Sequence, residues 1–403
     1  MEKKEKWIKG RHKVVTTLAA ALIGPYTRLT YGVKVKPFRE QGDRQYLIVM
    51  NHQTPFDQFF IGMAFRGPVY YIASEDIFSN GFISRLLEYA VAPIPIRKQT
   101  MDIGAIRTCL RIVKEGGTIA LAPEGNRTYS GRTEYMKPSI AKLARKLKLP
   151  VALFRIEGGY GVQPRWADSI RKGPMQAGVV RVIEPEEYES MTDAVFFEEI
   201  RKGLAVDEAV ADAEYTAPAL AEYMERAIYV CPDCGLAEFE SNGDLVTCKS
   251  CGRQIRYLPT KELQGVGKEF PFRFVADWYD YQCSFVHKMN PADWVETPAF
   301  RDTVNLFEVA LCERKKQLAE NAVLELYGDR VEIRGVGEEP VVVLFSAENA
   351  LTVLGRNKLN LYFDKEVWQV KGGKRFNALK YVNFYHHYRN ISEGNYDEQF
   401  LGL

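Results

Sequence analysis

Asn51-His52-Gln53-Thr54-Pro55-Phe56-Asp57 stands where an apolar run, Tyr46–Met50, gives way to a stretch of helical character from Pro55 to Phe65. It sets a histidine and an aspartate five residues apart at a strand-to-helix junction. A neutral imidazole there can take a proton from a hydroxyl nucleophile, and a carboxylate on its far nitrogen fixes the tautomer and stabilises the imidazolium. This is base-plus-orienter chemistry without a nucleophile from the chain. The same residues also read as a plain helix start: Thr54 as N-cap, Pro55 at the first helical position, Asp57 at the capping-box position and His52 in a loop.

Outward from this junction, strands and helices alternate to about Pro185. After the first pair come strand Val69–Ala73, helix Asp102–Glu115 stopped by Gly116-Gly117, strand Thr118–Ala122, helix Ser139–Lys148, and strands Val151–Ile156 and Gly178–Ile183. The pattern predicts an α/β layer, a largely parallel sheet flanked by helices, with its ligand site at the carboxyl ends of the strands. His52, Pro123-Glu124-Gly125-Asn126-Arg127 and Gly158-Gly159 each follow a strand directly, so they can share one edge. A glycine turn followed by an arginine can present a planar guanidinium to a phosphate; the alternative is a polar turn with Glu124 paired to Arg127. Arg97 and Lys98, after the apolar Val91–Ile96, repeat that choice between anion site and solvated loop. Gly158-Gly159-Tyr160-Gly161 reads as a flexible turn.

Four of these blocks, in order and spacing, resemble the glycerolipid acyltransferase family, which includes 1-acylglycerol-3-phosphate and glycerol-3-phosphate acyltransferases. Asn51-His52 through Asp57 resembles its NHx4D motif, Val91–Arg97 its second block, Pro123–Thr128 its PEGTRS block and Leu149–Leu153 its last strand; the likeness covers about residues 10–190. The resemblance implies that His52 is the general base and Asp57 its orienter. It implies that Arg97 and Arg127 bind the acceptor's phosphate, with Glu124 and Gly125 shaping the turn. It implies an acyl thioester co-substrate, acyl-coenzyme A or acyl-carrier protein, and an acceptor such as 1-acylglycerol 3-phosphate, which would give phosphatidic acid. Glycerol 3-phosphate, a lysophospholipid or an amino lipid are alternative acceptors, and a non-enzymatic lipid-binding adaptor is the alternative of another class. Asn126 and Thr128 replace the family's threonine and serine, Val91 and Ile94 its glycine and phenylalanine, and Leu153 a proline, which leaves the acceptor open.

The 403 residues, 46% hydrophobic and 12% aromatic, suffice for several cores. The net charge of +2 conceals a basic end: residues 1–44 hold eleven Lys or Arg against four Asp or Glu. The apolar run Val14–Gly24 is too short to span a bilayer, which takes about 20 residues. It suits an interfacial helix with lysines toward anionic headgroups and Trp7 and Tyr26 at headgroup depth. A signal peptide and an ordinary core helix are the competitors. The expectation is a cytoplasmic protein bound peripherally to membrane lipids at the inner face of the cell membrane. Residues 1–44 thus precede an acyltransferase domain over 45–205.

A helical linker is expected over 206–227, then a zinc ribbon over 228–260. Cys231-Pro232-Asp233-Cys234 and Cys248-Lys249-Ser250-Cys251 are two CxxC knuckles thirteen residues apart, each followed by a glycine. Four thiolates so spaced converge on a tetrahedral metal, and a closed set of four is structural zinc rather than catalytic metal. Two disulfides or iron are the alternatives. Few cations and several acids lie between the knuckles, so the module reads as a folding unit or a contact for a protein partner, and no nucleic acid is expected. Cys109, Cys283 and Cys312 read as buried free thiols, and His386-His387 as a solvated pair. Residues 261–319 form a helical, aromatic connector. Residues 320–403 read as a β-rich domain closed by the helix Ala378–Tyr388, faintly resembling pleckstrin-homology-like domains.

Overall fold

The computed structural model describes residues 6–74, 78, 81–96, 103–310, 313–346, 348–395 and 400–402. The chain divides into two compact units, one of Met1–Pro164 with Lys172–Glu208, the other of Arg165–Arg171 with Ala209–Leu403.

The first unit opens with helix α1 (Gly10–Tyr31) and strands β1 (Val33–Val35) and β2 (Leu47–Met50). Helix α2 (Asp57–Ala64), β3 (Val69–Ser74), α3 (Phe82–Val91), β4 (Ile94–Ile96), α4 (Ile103–Lys114) and β5 (Thr118–Leu121) follow. Then come α5 (Ser139–Leu147), β6 (Val151–Glu157), the single turn α6 (Gly159–Val162), β7 (Met175–Ile183), α7 (Pro185–Glu189) and α8 (Asp193–Leu204). The described strands form one sheet in the order β1-β7-β6-β2-β5-β3-β4. All neighbours run parallel except β6 and β7. β2 is Leu-Ile-Val-Met, buried throughout, as a central strand covered on both faces must be. Helix α5 shows the complementary pattern: Ile140, Ala141, Ala144 and Leu147 are buried at helical spacing while its basic residues face out. Each such buried Leu or Ile contributes roughly 1.5–3 kcal/mol.

The mixed α/β layer and its parallel-rich sheet agree with the pattern read from sequence. Helix α1 does not. It continues through Pro25, past the expected end at Gly24, and its cations (Arg11, Lys13, Arg28) sit at its ends. Val14, Leu18, Leu22 and Leu29 are among its exposed side chains, 57–86% accessible, with Tyr26 beside them at 53%. Trp7 is partly buried against the core: its indole N–H donates to Ala92 O and its backbone N–H to Glu115 Oε1. No described helix is long and apolar enough to cross a membrane.

The second unit contains a small β module, then a larger sheet. The hairpin β8 (Val230–Cys231) and β9 (Gly235–Leu236) precedes an antiparallel meander of β10 (Phe239–Asn242), β11 (Leu245–Cys248), β12 (Gln254–Tyr257) and β13 (Leu263–Val266). The expected helical linker is absent among the described residues of this stretch; 209–223 are irregular and Met224–Arg226 form one 3₁₀ turn. Backbone N–H groups there are taken by the β module: Tyr215 donates to Pro259 O and Ala221 to Gly243 O. Helix α9 (Val275–His287) accounts for the aromatic stretch. Its Trp278 is buried between Phe239 and Phe270 and donates from Nε1 to Val230 O.

The larger sheet begins at Phe300, twenty residues before the expected boundary of 320. Strands β14 (Phe300–Glu308), β15 (Lys316–Leu326), β16 (Arg330–Arg334), β17 (Val341–Leu344), β18 (Ala350–Leu354), β19 (Lys358–Phe363) and β20 (Glu366–Gly372) pair antiparallel in the order β17-β16-β15-β14-β20-β19-β18. Helix α10 (Leu379–Ser392) follows, burying Tyr381, Phe384 and Tyr385. His387 on this helix is not solvated: it is buried, bonded to Met289 O, and burial lowers its pKa. Cys109 is buried, which pushes its thiol up to about 12; Cys283 is half-buried and Cys312 lies outside the described residues.

Candidate active site

Strands β6, β2 and β5 are adjacent and parallel, so the loops leaving their carboxyl ends emerge side by side. These loops carry residues 51–57, 122–134 and 158–160. Asn51 opens the first by behaving as one more strand residue: its Nδ2 donates to Ile156 O and its Oδ1 accepts from Ile156 N, both at 2.8 Å. The amide side chain thus ends β2 against β6 without stranding buried backbone groups.

His52 Nδ1 lies 2.8 Å from Asp57 Oδ2. The aspartate is fully buried, and its carboxylate also accepts from Gln53 N (2.7 Å), Thr54 N (2.9 Å) and Thr54 Oγ1 (2.7 Å). With only donors gathered on that carboxylate, Nδ1 carries the hydrogen and Nε2 presents its lone pair. The imidazole keeps about a quarter of its surface exposed, which leaves it a reachable base. The expected N-cap at Thr54 with Pro55 at the first helical position does not form, since the helix begins after Phe56. Asp57 still combines a helix-start contact with its bond to His52. It begins α2 and bonds the amide of Thr54 as a helix-start residue does, and it orients His52 as well.

The second loop is tied to the first by Glu124. Its Oε1 accepts the backbone N–H of His52 at 2.9 Å and its Oε2 that of Glu134, also at 2.9 Å. Burial pushes this carboxyl up to about 8, against the two N–H donors that pull it down. Glu124 therefore shapes the turn, with each of its oxygens on a backbone amide of a different loop. Gly125 has φ +70°, a left-handed turn that favours glycine. Thr128 Oγ1 accepts from the amides of Ser130 and Gly131 and holds the loop's far side. Arg127 is buried on this loop, and Arg97 lies outside the described residues. The structure thus brings together His52, Asp57, Glu124 and the Gly125–Arg127 turn.

The third loop holds what sequence reading missed. Gly158-Gly159-Tyr160-Gly161 is a buried turn, not a flexible one: Tyr160 N donates to Gln53 Oε1 at 2.9 Å. A Cβ on Gly159 would meet Gln53 Cβ at 2.5 Å, and one on Gly158, where φ is +78°, would meet Pro174 O at 2.2 Å. A pair of glycines directly after a strand was the available signal.

Residues 33–156 match the family model described as Acyltransferase. The α/β unit carries an acyltransferase domain. Over 145 residues the chain is 25% identical to a 1-acyl-sn-glycerol-3-phosphate acyltransferase, BAT2, chloroplastic, of Brassica napus; the match takes in 35% of this chain and 40% of the relative. The chain thus spans less than half the length of that curated relative. Among solved structures, the 1-acyl-sn-glycerophosphate acyltransferase PlsC of Thermotoga maritima is similar at a TM-score of 0.41, with 22% identity, over 48% of this chain and 79% of PlsC.

The second unit holds a different constellation. The sulfurs of Cys231, Cys234, Cys248 and Cys251 all lie within 4.8 Å of one another. Cys231 and Cys251 are 3.7 Å apart, Cys234 and Cys248 3.6 Å. Sulfurs at about 2.3 Å from a tetrahedral zinc stand about 3.8 Å apart, whereas a disulfide needs about 2.05 Å. The set therefore fits one metal ion. Gly235 and Gly252 follow their knuckles with φ of +82° and +75°, as the turn requires.

Proposed function

We propose that the acyltransferase domain moves a fatty acyl group from an acyl thioester to the free hydroxyl of 1-acylglycerol 3-phosphate, giving phosphatidic acid. The observation that carries the reading is the His52–Asp57 pair, with Nδ1 committed to a fully buried carboxylate and the other nitrogen left as a base. His52 Nε2 takes the acceptor's hydroxyl proton as its oxygen attacks the thioester carbonyl. The C–S bond then breaks, and the imidazolium returns the proton to the leaving thiolate. A thioester donor makes a serine or cysteine nucleophile unnecessary. The phosphate-bearing acceptor is supported by Arg127 on the adjoining loop, with Arg97 as its partner from the sequence pattern, and by the named activity of the Brassica relative.

The four-cysteine cluster supports structural zinc as the second unit's cofactor, holding the knuckles and taking no part in acyl transfer. The antiparallel sheet followed by α10 supports a pleckstrin-homology-like reading of the last hundred residues, as a surface for lipid or protein. Peripheral membrane attachment is supported by apolar surface on α1 together with its exposed cations Lys13 and Arg28. The exposed stripe of α1 continues on α3 as Phe82, Leu86 and Tyr89, where Arg11 of α1 lies over the Tyr89 ring. A Leu22→Glu substitution is expected to weaken vesicle binding; unchanged binding would remove α1 from the contact.

The deciding experiment incubates the purified full chain, in lipid micelles, with 1-acylglycerol 3-phosphate and acyl-coenzyme A beside a His52→Ala variant, with phosphatidic acid read by mass spectrometry. The wild type is expected to make product and the variant to lose roughly 10²- to 10⁴-fold in rate. Equal rates would end His52's role. Product only with glycerol 3-phosphate, a lysophospholipid or an amino lipid would reassign the acceptor, and silence across acceptors and donors would favour a lipid-binding adaptor.

A further inference from the structure

The segment Gly158-Gly159-Tyr160 touches both halves of the candidate site. Its backbone holds the base loop, because Tyr160 N donates to the side chain of Gln53. Gln53 is 2% exposed, and its own N–H is one of the donors on Asp57 Oδ2. Its side chain also holds the arginine loop: the Tyr160 ring lies so close beneath Gly131 that a Cβ there would meet it at 2.9 Å. The segment is itself fixed from behind. Gly158 N donates to Glu208, whose own N–H donates to Gly131 O, while Gln163 N bonds Gly159 O and the Gln163 side chain accepts from Tyr31 OH.

We propose that Gly158-Gly159-Tyr160 is a keystone that sets His52 against the arginine loop, with Gln53 and Tyr160 as positioning residues for two different tasks. Gln53 holds the chain between His52 and Asp57, so losing its link lets the imidazole drift from the geometry that makes it a base. Tyr160 supports Gly131, so losing its ring loosens the loop that carries Arg127 while the Gln53 link, made by the Tyr160 backbone, survives. Neither residue needs to touch a reacting atom. Both glycines are required because a methyl at either position would occupy space already filled by Gln53 Cβ or Pro174 O.

The proposal rests on the acyl-transfer reading for its kinetic half alone. The other half is spectroscopic: the His52 Nδ1 proton, held by Asp57, gives a downfield proton NMR signal that His52→Ala identifies by removing it. Gln53→Met, of similar size but with no acceptor oxygen, is expected to broaden or abolish that signal in a folded protein. It should also lower kcat roughly 10²-fold, with KM for donor and acceptor little changed. Tyr160→Leu is expected to leave the signal in place and raise KM for the acceptor severalfold. Should Gln53→Met fail to fold, Gln53→Asn, which withdraws the acceptor by one methylene, serves for the same readings. An unaltered signal in a folded Gln53 variant would overturn the proposal, and so would a wild type in which His52→Ala removes no signal. A wild type that turns over no acceptor would defeat the acyl-transfer reading, and the signal would still decide the keystone.

Discussion

The two constellations in this chain are assembled over different lengths of sequence. The four cysteines fall within Cys231–Cys251, and two tight turns beside an antiparallel meander bring their sulfurs together. The candidate active site needs three loops whose members are far apart: the Asn51–Ile156 pair joins residues 105 positions apart and Gln53–Tyr160 joins residues 107 apart. A locally closed site carries its own geometry in its spacing. A site spread over a parallel sheet inherits geometry from strand order, which no short motif states. The two should therefore fail differently. The cysteine module should lose its fold with its metal, whereas the α/β site should lose function by small displacements within an intact fold.

Metal removal is the larger test of that contrast. Binding of a structural zinc by such a set is worth on the order of 10 kcal/mol and is inseparable from folding of the module. Native mass spectrometry of the full chain should find one zinc per chain, absent in Cys248→Ser. Hydrogen exchange is expected to show backbone protection over residues 230–257 lost in that variant or on chelation. Protection that survives zinc loss would break the comparison, because the module would then be held by its packing on Trp278 and not by its ligands.

Legibility in the sequence follows the same division. The cysteine pattern and the pairing of His52 with Asp57 were readable because each lies within a short segment. The parallel-rich sheet was readable because its strands include continuous apolar runs, as in Leu47–Met50. Glu124's hold on the His52 amide was not readable, since it depends on β2 lying beside β5. Gly158–Gly161 looked flexible because glycine permits mobility and close packing alike, and the contact that decides between them comes from residue 53. The alanine- and glutamate-rich 206–227 suggested a helix from propensity, but its amides bond the β module instead, tertiary contacts overriding a weak local preference. Phe300–Glu308 was missed as a strand because arginine, aspartate, threonine and asparagine interrupt its apolar positions, which alternate only loosely in burial.

The finest test of a displaced but intact site is Glu124→Gln. Its carboxyl, raised to about 8 by burial, lies across the two loops and holds an amide in each. An acid whose folded pKa exceeds its unfolded value binds more protons folded than unfolded between the two. Its contribution is therefore complete below the unfolded value, near 4.5, and is lost as pH rises toward 8. Glutamine cannot titrate, so the variant's stability should vary less with pH across that window. Its amide nitrogen would face a backbone N–H that has lost its acceptor, at about 1–3 kcal/mol. Denaturant unfolding of wild type and variant at several pH values between about 5 and 8 measures both effects. The expected outcome is a variant less stable at pH 5 that closes on the wild type by pH 8, with the far-UV signal of the fold unchanged. A gap that stays constant with pH would mean that Glu124 does not titrate in this window. The loops would then be joined by a permanently charged clamp, and their spacing would not respond to pH.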